Sequence, residues 1–564
     1  MKRRDFLKIA GTSALSTAIP SSLLSLSQSQ EKFSNLNNLL SDDYPFPYDS
    51  EYFEAAERFV FLNSHEARIN ILPKQGKRLD VKLYQAPDKM YLCKTHPISW
   101  YNVNESFDIP VRQFFWEPEF HYRLEYRESG AKGLWKATPA RVVKTPRVSL
   151  RDGQIKMIII SDDHTFDDAD LGSRIVKDEV LRAQRLSGEY VNLFLEQLLQ
   201  DPEYVPDRAS DWGKMLNGFC LASTIRQILI NEKPDLILFL GDMTGIGAAY
   251  KWKGLGLKDP AEILTLEEYD EYARLFWLRT RRILSGLTPS IPVYIALGNH
   301  DGESGFDISN VSAKKYRKMF FKMPGSEQGG SPDENYYPLI WGGDLINQGG
   351  FLFLILDSES ASIELKRPED WKLGAEQKEW LKEILKYETD WKFVFFHHVL
   401  GGWPRGTSEQ IFDRAYGRGP LFTYEDYVDY CQDPNSVEQV ELTKLMKENG
   451  VRINFYGHDH IFHIKEIDKR KMYGICVGST KNYSELSWYK GELWKKHYGN
   501  YGYFWSEDIE TGEKADFWSP SGYTKLTINK GGAKVEYKRG GYNHPSTNIP
   551  PEIGVGDTIS ALLL

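Results

Sequence analysis

Between residues 148 and 540 the chain repeatedly gathers apolar residues into runs of strand length: "KMIIIS", "DLILFLG", "PVYIALG", "FLFLILD", "KFVFFH", "RINFYG" and "YGICVGS". Runs with so few polar interruptions predict strands buried on both faces. Amphipathic segments of helical length separate several of them, at residues 173–199, 267–287 and 374–387. Strands alternating with helices predict an α/β domain over 148–540. Residues 51–147 follow a different rule. Their apolar segments are short ("RINIL", "RLDVKLYQ", "HYRLEYRES", "RVVKT"), and in one of them Leu79, Val81 and Leu83 alternate with Asp80, Lys82 and Tyr84. That period of two, with no helical stretch between, predicts a small all-β sandwich ahead of the α/β domain. Residues 31–50 are polar and broken by prolines, which predicts a linker. Residues 522–539 predict a hairpin turning at Gly531 and Gly532, and residues 541–564 a loosely packed tail.

Composition narrows the class. A chain of 564 residues, 41% hydrophobic and 26% charged, is globular with room for more than one domain, which excludes a disordered, collagen-like or multi-spanning protein. Four cysteines are too few for a disulfide framework. The net charge of -9 repels phosphate backbones and argues against a stable nucleic-acid complex. Residues 1–30 stand apart. Lys2, Arg3 and Arg4 precede an apolar stretch diluted by Gly, Ser and Thr and broken by Pro20, too short for a permanent membrane anchor. The paired arginines followed by Asp5-Phe6-Leu7-Lys8 resemble a twin-arginine export signal. That resemblance implies transient engagement of a twin-arginine translocon and a bacterial periplasmic or secreted location. Such export carries folded proteins, and so suits an enzyme loaded with metal beforehand.

The candidate chemistry lies where the apolar runs end. "MIIIS" leads into Asp162-Asp163-His164, "LILFLG" into Asp242, "VYIALG" into Asn299-His300-Asp301, "FVFFH" into His397-His398, and "INFYG" into His458-Asp459-His460. A single histidine after an apolar run is ordinarily a capping or core residue. Five strand ends carrying His, Asp or Asn in one chain place ligands together just beyond the carboxyl ends of the strands, where open α/β sheets bind theirs. Mixed imidazole, carboxylate and amide donors suit divalent or trivalent first-row ions such as Mn, Fe or Zn rather than Ca²⁺.

The ordered set D-x-H, G-D, G-N-H-D, H and G-H-x-H resembles the calcineurin-like metallophosphoesterase superfamily, in which it spans the catalytic domain. The resemblance implies a four-layer α-β-β-α sandwich and hydrolysis of phosphate esters at a dinuclear centre by a bridging hydroxide. It implies a first metal held by Asp162, His164 and His460, and a second held by Asn299, His397 and His458, with Asp242 bridging the two. His300 would approach the phosphoryl oxygens or leaving group, oriented by an acidic neighbour such as Asp301. Of the adjacent pair, His397 is the expected ligand and His398 lies behind it. Asp163 is expected to face solvent or to stand behind the ligands, and His463 to be structural. The stretch 120–146 also resembles the closing strands of fibronectin-type-III-like domains that precede several secreted phosphoesterases.

Departures from the pattern narrow the subfamily. Purple acid phosphatases carry a tyrosine three residues after the G-D aspartate, where this chain has Gly245. Secreted alkaline phosphodiesterases replace the histidine of D-x-H by tyrosine, where this chain has His164. The gap from His164 to Asp242 far exceeds the roughly 30–40 residues of a simple β-α-β step, so insertions are expected above the site. Arg405 and the aromatic stretch 487–505 are open between substrate contact and ordinary surface or packing roles. Substrates can be small-molecule or polymeric phosphate esters, and the alternative within enzymes is a phosphodiesterase on nucleotides or glycerophosphodiesters. A non-catalytic envelope binding protein of the same fold would have lost ligands or His300, and none is missing.

Overall fold

The computed structural model describes residues 48–63, 66–92, 95–111, 117–146, 153–164, 221, 224–225, 227–244, 266–303, 310–342, 349–359, 373–400, 415–416, 437–458, 460, 462–468, 471–480, 494–498, 503–508, 514–518, 521–540 and 556–564. The export signal at 1–30, most of the linker, the helix expected at 173–199, Arg405 and Asp459 lie outside the described residues.

Two large sheets carry the α/β part. The first has six strands in the order Val293–Ala296, Leu236–Leu240, Ile155–Ile160, Gly522–Asn529, Gly532–Arg539 and Thr558–Leu563. Its first three strands are parallel and the rest antiparallel. The second sheet has nine strands and opens with Tyr337–Trp341, Phe351–Ile355, Trp391–Phe395, Val451–Tyr456 and Met472–Val477. From Phe351–Ile355 to Met472–Val477 these strands are parallel. Every apolar run picked out above is a strand, and Leu236–Leu240 and Phe351–Ile355 are buried along their whole length. Helices Leu266–Ile283 and Gly374–Ile384 fall where the amphipathic segments lie. Among the described residues no helix is long and apolar enough to cross a membrane.

The predicted hairpin forms, with Asn529 paired to Gly532 across its turn. The expected tail is corrected in part: Thr558–Leu563 pairs with Gly532–Arg539 and closes the edge of the first sheet. Its alternation is shallow because one flank meets solvent, which is why it resembled a tail.

The front region forms two β-sheets. One pairs Arg58–Phe61, Ala67–Ile71 and Phe107–Val111, and the other is built on Leu79–Ala86 and Glu119–Glu128. A four-residue helix, Lys89–Leu92, interrupts them. The alternation of Leu79, Val81 and Leu83 points these side chains inward, each fully buried. This region shares one continuous apolar core with the first large sheet. Phe61 meets Trp341 edge-on at 6.0 Å, Tyr122 Oη donates to the Pro289 carbonyl at 2.6 Å, and Tyr294 Oη donates to the Phe61 carbonyl at 2.9 Å.

Candidate metal centre

Backbone geometry at the strand ends aims the polar side chains. Asp162, His164, Asp242, His458 and His460 all adopt positive φ, between 38° and 71°; among the described residues only Lys233 and Glu334 join them outside glycine. Asp and His tolerate this left-handed region better than most residues, but it still costs on the order of 1 kcal/mol or more each. The loops persist because they are laced together: Asp162 N donates to the Gly241 carbonyl at 3.1 Å, His164 N to the Asp242 carbonyl at 2.8 Å, and Gly457 N to the His397 carbonyl at 2.9 Å. Two glycines are required by close approach. A Cβ on Gly298 would strike Asp242, and one on Gly457 would strike Ser161 and Asp162.

The seven expected ligands converge. His164 Nε2 lies 3.2 Å from His460 Nε2 and 3.3 Å from Asp242 Oδ2, and His460 Nε2 lies 3.3 Å from Asp162 Oδ1. On the other side, His397 Nε2 lies 3.2 Å from the same Asp242 oxygen, 3.1 Å from Asn299 Oδ1 and 3.2 Å from His458 Nδ1. Two donors bound about 2.1 Å from one ion at angles of 90–110° stand roughly 3.0–3.4 Å apart. The donor spacing therefore fits ions on both sides of Asp242. His397 Nδ1 donates to the Leu240 carbonyl at 2.7 Å, which fixes the ring and turns Nε2 toward the cluster. Asp162, His164, Asp242 and His460 form one group able to hold a metal ion, and His397, His398 and His458 another.

Electrostatics reinforce the pairing. Burial opposes the charge of Asp242, yet His397 and His300 outweigh it and hold the carboxyl well below its usual range. Burial likewise works against a charged His397, but Asp242 and Asp162 push it up to about 10. Its folded value thus exceeds the ordinary histidine value of about 6.5, so the pairing stabilises the metal-free protein fully below that pH. The contribution is lost as pH rises through about 10. A metal ion competes with this proton for Nε2. Metal affinity should accordingly rise with pH, by about tenfold per unit for each proton displaced. Calorimetric Mn²⁺ titration in buffers of different ionisation enthalpy counts the protons, and uptake without proton release would contradict the assignment.

His300 differs from the expected ligands: its side chain is 28% exposed, while the six His and Asp residues among them are buried. Its Nε2 lies 4.0 Å from Asp242 Oδ2 and its ring packs edge-on against His164 at 4.5 Å. Asp301 departs from expectation. Its carboxylate accepts from the amides of Asp242 and Gly298, both at 2.9 Å, and of Thr244 at 3.0 Å. It therefore clamps the G-D and G-N-H-D loops together instead of orienting His300. Burial, then Asp242, raises it to about 7. Asp163 is fully buried and not solvent-facing; burial and Asp301 raise it well above the carboxylate range. His463 is buried within a strand, opposite Cys476. Ser358 and Glu359, which the sequence did not single out, are also brought to the centre, where Ser358 Oγ lies 2.7 Å from His398 Nδ1. Their signal was the same as for the ligands, polar residues straight after an apolar run, but without a histidine among them.

Residues 209–462 match the family model described as calcineurin-like phosphoesterase. The chain carries a calcineurin-like phosphoesterase domain. The match starts after Asp162 and His164, and the sheet supplies them: their strand pairs directly with Leu236–Leu240 inside the matched segment. The fold is similar to a solved structure of PhoD, at 14% identity and a TM-score of 0.54, covering 92% of this chain and 91% of that one. A purple acid phosphatase, PPD1, from yellow lupin (Lupinus luteus) seeds aligns at 13% identity and a TM-score of 0.49, covering 90% and 74%. No curated protein matches the chain. The protein is a metallophosphoesterase with an α/β fold, and its His/Asp clusters are able to bind metal ions.

Proposed function

We propose that the phosphoesterase domain hydrolyses phosphate esters at a dinuclear centre, with Asp162, His164 and His460 holding one ion, Asn299, His397 and His458 the other, and Asp242 shared. The observation that carries this reading is the single Asp242 oxygen within 3.3 Å of an imidazole nitrogen from each cluster. When bound, a pair of first-row ions supplies Lewis acidity and an activated water at neutral pH. The protein's own groups do the rest. Asp242 and the buried carboxylates balance the positive charge, and Asn299 adds a neutral donor. His300, the most exposed imidazole of the set, would donate to a phosphoryl oxygen or to the departing alkoxide.

We place this activity outside the cytoplasm on the strength of residues 1–30. The domain limits proposed are 51–147 for the β-region and 148–540 for the catalytic region, the latter extended by the strand at 558–563. Elemental analysis of purified protein, paired with a panel of aryl monoesters and diesters, tests the function. Two equivalents of first-row metal and metal-dependent release of aryl alcohol are expected. Turnover indifferent to a chelator would reject the reading. Precursor trapped in the cytoplasm when Arg3 and Arg4 become lysine would support export, and normal release would reject it.

A further inference from the structure

A second polar chain reaches the centre from behind, and none of it belongs to the seven ligands. It begins where the Phe351–Ile355 strand ends, in Leu356-Asp357-Ser358-Glu359. This strand lies beside Trp391–Phe395, which delivers His397 and His398, and Leu356 N continues the pairing to the Phe395 carbonyl at 2.8 Å. Asp357, Ser358, Glu359 and His398 are all at most 1% exposed.

The turn is rigidly held. Asp357 N donates to Gln377 Oε1 at 2.8 Å, and Gln377 Nε2 donates back to the Asp357 carbonyl at 2.7 Å. This reciprocal pair ties the strand end to helix Gly374–Ile384. Asp357 Oδ1 in turn accepts the Glu359 amide at 2.7 Å, which directs the next two side chains toward His398. The two ring nitrogens of His398 are then approached from different sides: Nδ1 is hydrogen-bonded to Ser358 Oγ at 2.7 Å, and Nε2 lies 3.1 Å from Glu359 Oε1, within ion-pair range but outside hydrogen-bond geometry. The ring cannot turn about its own axis without losing the Ser358 hydrogen bond and the close approach of the Glu359 carboxylate. It packs on His458 at 4.6 Å between centroids and on His397 at 5.0 Å, and those two rings also meet each other at 5.0 Å. The three rings form one block, so the orientation of His398 limits that of the other two.

We propose that Ser358 and Glu359 fix His398 as a positioning wedge that sets the aim of His458 and His397, and thereby tunes the affinity of the second metal position alone. Glu359 and Ser358 are positioning residues, reaching the metal only through His398. The inference rests on the dinuclear reading above. It distinguishes the two positions: among the described residues, the side-chain and ring contacts of Ser358, Glu359 and His398 run to one another, His397 and His458.

Co²⁺ titration of the metal-free full chain, followed by d–d absorption and equilibrium dialysis, tests it. Wild type is expected to bind two Co²⁺. Glu359→Gln should bind the first with wild-type affinity and the second about 10–100-fold more weakly, the usual cost of removing an outer partner. Its second-site absorption band should shift, with the thermal midpoint retained. Ser358→Ala, which removes the hydrogen bond at Nδ1, should likewise weaken the second site alone and serves if Glu359→Gln does not fold. Two equally tight Co²⁺ in the folded variants and in wild type alike would overturn the inference while leaving the dinuclear reading intact. Equal weakening at both positions would also overturn it. Fewer than two Co²⁺ in wild type would overturn the dinuclear reading, and the inference with it.

Discussion

Asp242→Asn should abolish hydrolysis of an aryl phosphate while leaving the fold intact. One oxygen of Asp242 stands 3.2 Å from His397 Nε2 and 3.3 Å from His164 Nε2, which makes it the shared ligand of the proposed dinuclear centre. Its other oxygen accepts the His300 amide at 2.8 Å, which ties the ligand loop to the residue facing solvent. Asparagine keeps the size and one carbonyl oxygen but removes the charge and turns one arm into a donor. Changing an outer partner of a metal site costs about 10–100-fold, and losing a carboxylate shared by two ions should cost far more. We expect a fall in kcat/KM on the order of 10⁴, equivalent to about 5.5 kcal/mol of transition-state stabilisation. Steady-state kinetics beside metal analysis and far-ultraviolet circular dichroism decide it. A metal-loaded variant with wild-type turnover would remove Asp242 from the centre.

Arg281→Met should destabilise the whole chain and not only one part of it. Arg281 sits on helix Leu266–Ile283 with no exposed surface, and its guanidinium reaches the carbonyls of Ala56, Asn70 and Phe320. Burial and the nearby Arg58 guanidinium both work against its charge. Arg58 makes the mirror-image reach, from a front strand to the carbonyls of Val293 and Lys322 at 2.7 and 2.9 Å. Methionine fills similar volume but takes the guanidinium donor away from three buried carbonyls, at a cost of about 1–3 kcal/mol for each one left unsatisfied. A loss of about 3–5 kcal/mol in urea unfolding is expected, with front sheets and catalytic sheets melting in one transition. A loss below about 1 kcal/mol, or an early separate transition of the front region, would show the seam to be decorative.

Much of this centre was readable in the chain because buried strands leave uninterrupted apolar runs, and whatever follows them stands at a sheet's carboxyl edge. His164, His397 and His458 announced themselves in that way. Ser358 and Glu359 occupy the equivalent place, yet Asp-Ser-Glu after a strand reads equally well as a turn, and only the neighbouring His398 gives it meaning. Asp301 was misplaced because spacing shows adjacency to His300 and not where a carboxylate points; three backbone amides from two loops capture it first. The Tyr337–Trp341 strand escaped notice because it carries Pro338, which a strand tolerates at a sheet edge, and there it lies. The seam between front and catalytic regions was hidden because backbone carbonyls, which no sequence pattern marks, accept its arginines.

The pairing of Ile155–Ile160 also governs when the centre can exist. Ile159 is matched with Thr524, far along the chain from it, and Leu238 supplies its neighbour on the other side. Contacts so distant in sequence close slowly, since the entropy of a very long loop is lost before they return anything. While the chain is being made, the strand that ends in Asp162 and His164 can have only one flank covered until the hairpin at Gly522–Arg539 emerges. Assembly of that half of the centre therefore waits on residues 522–529, whatever else has already folded.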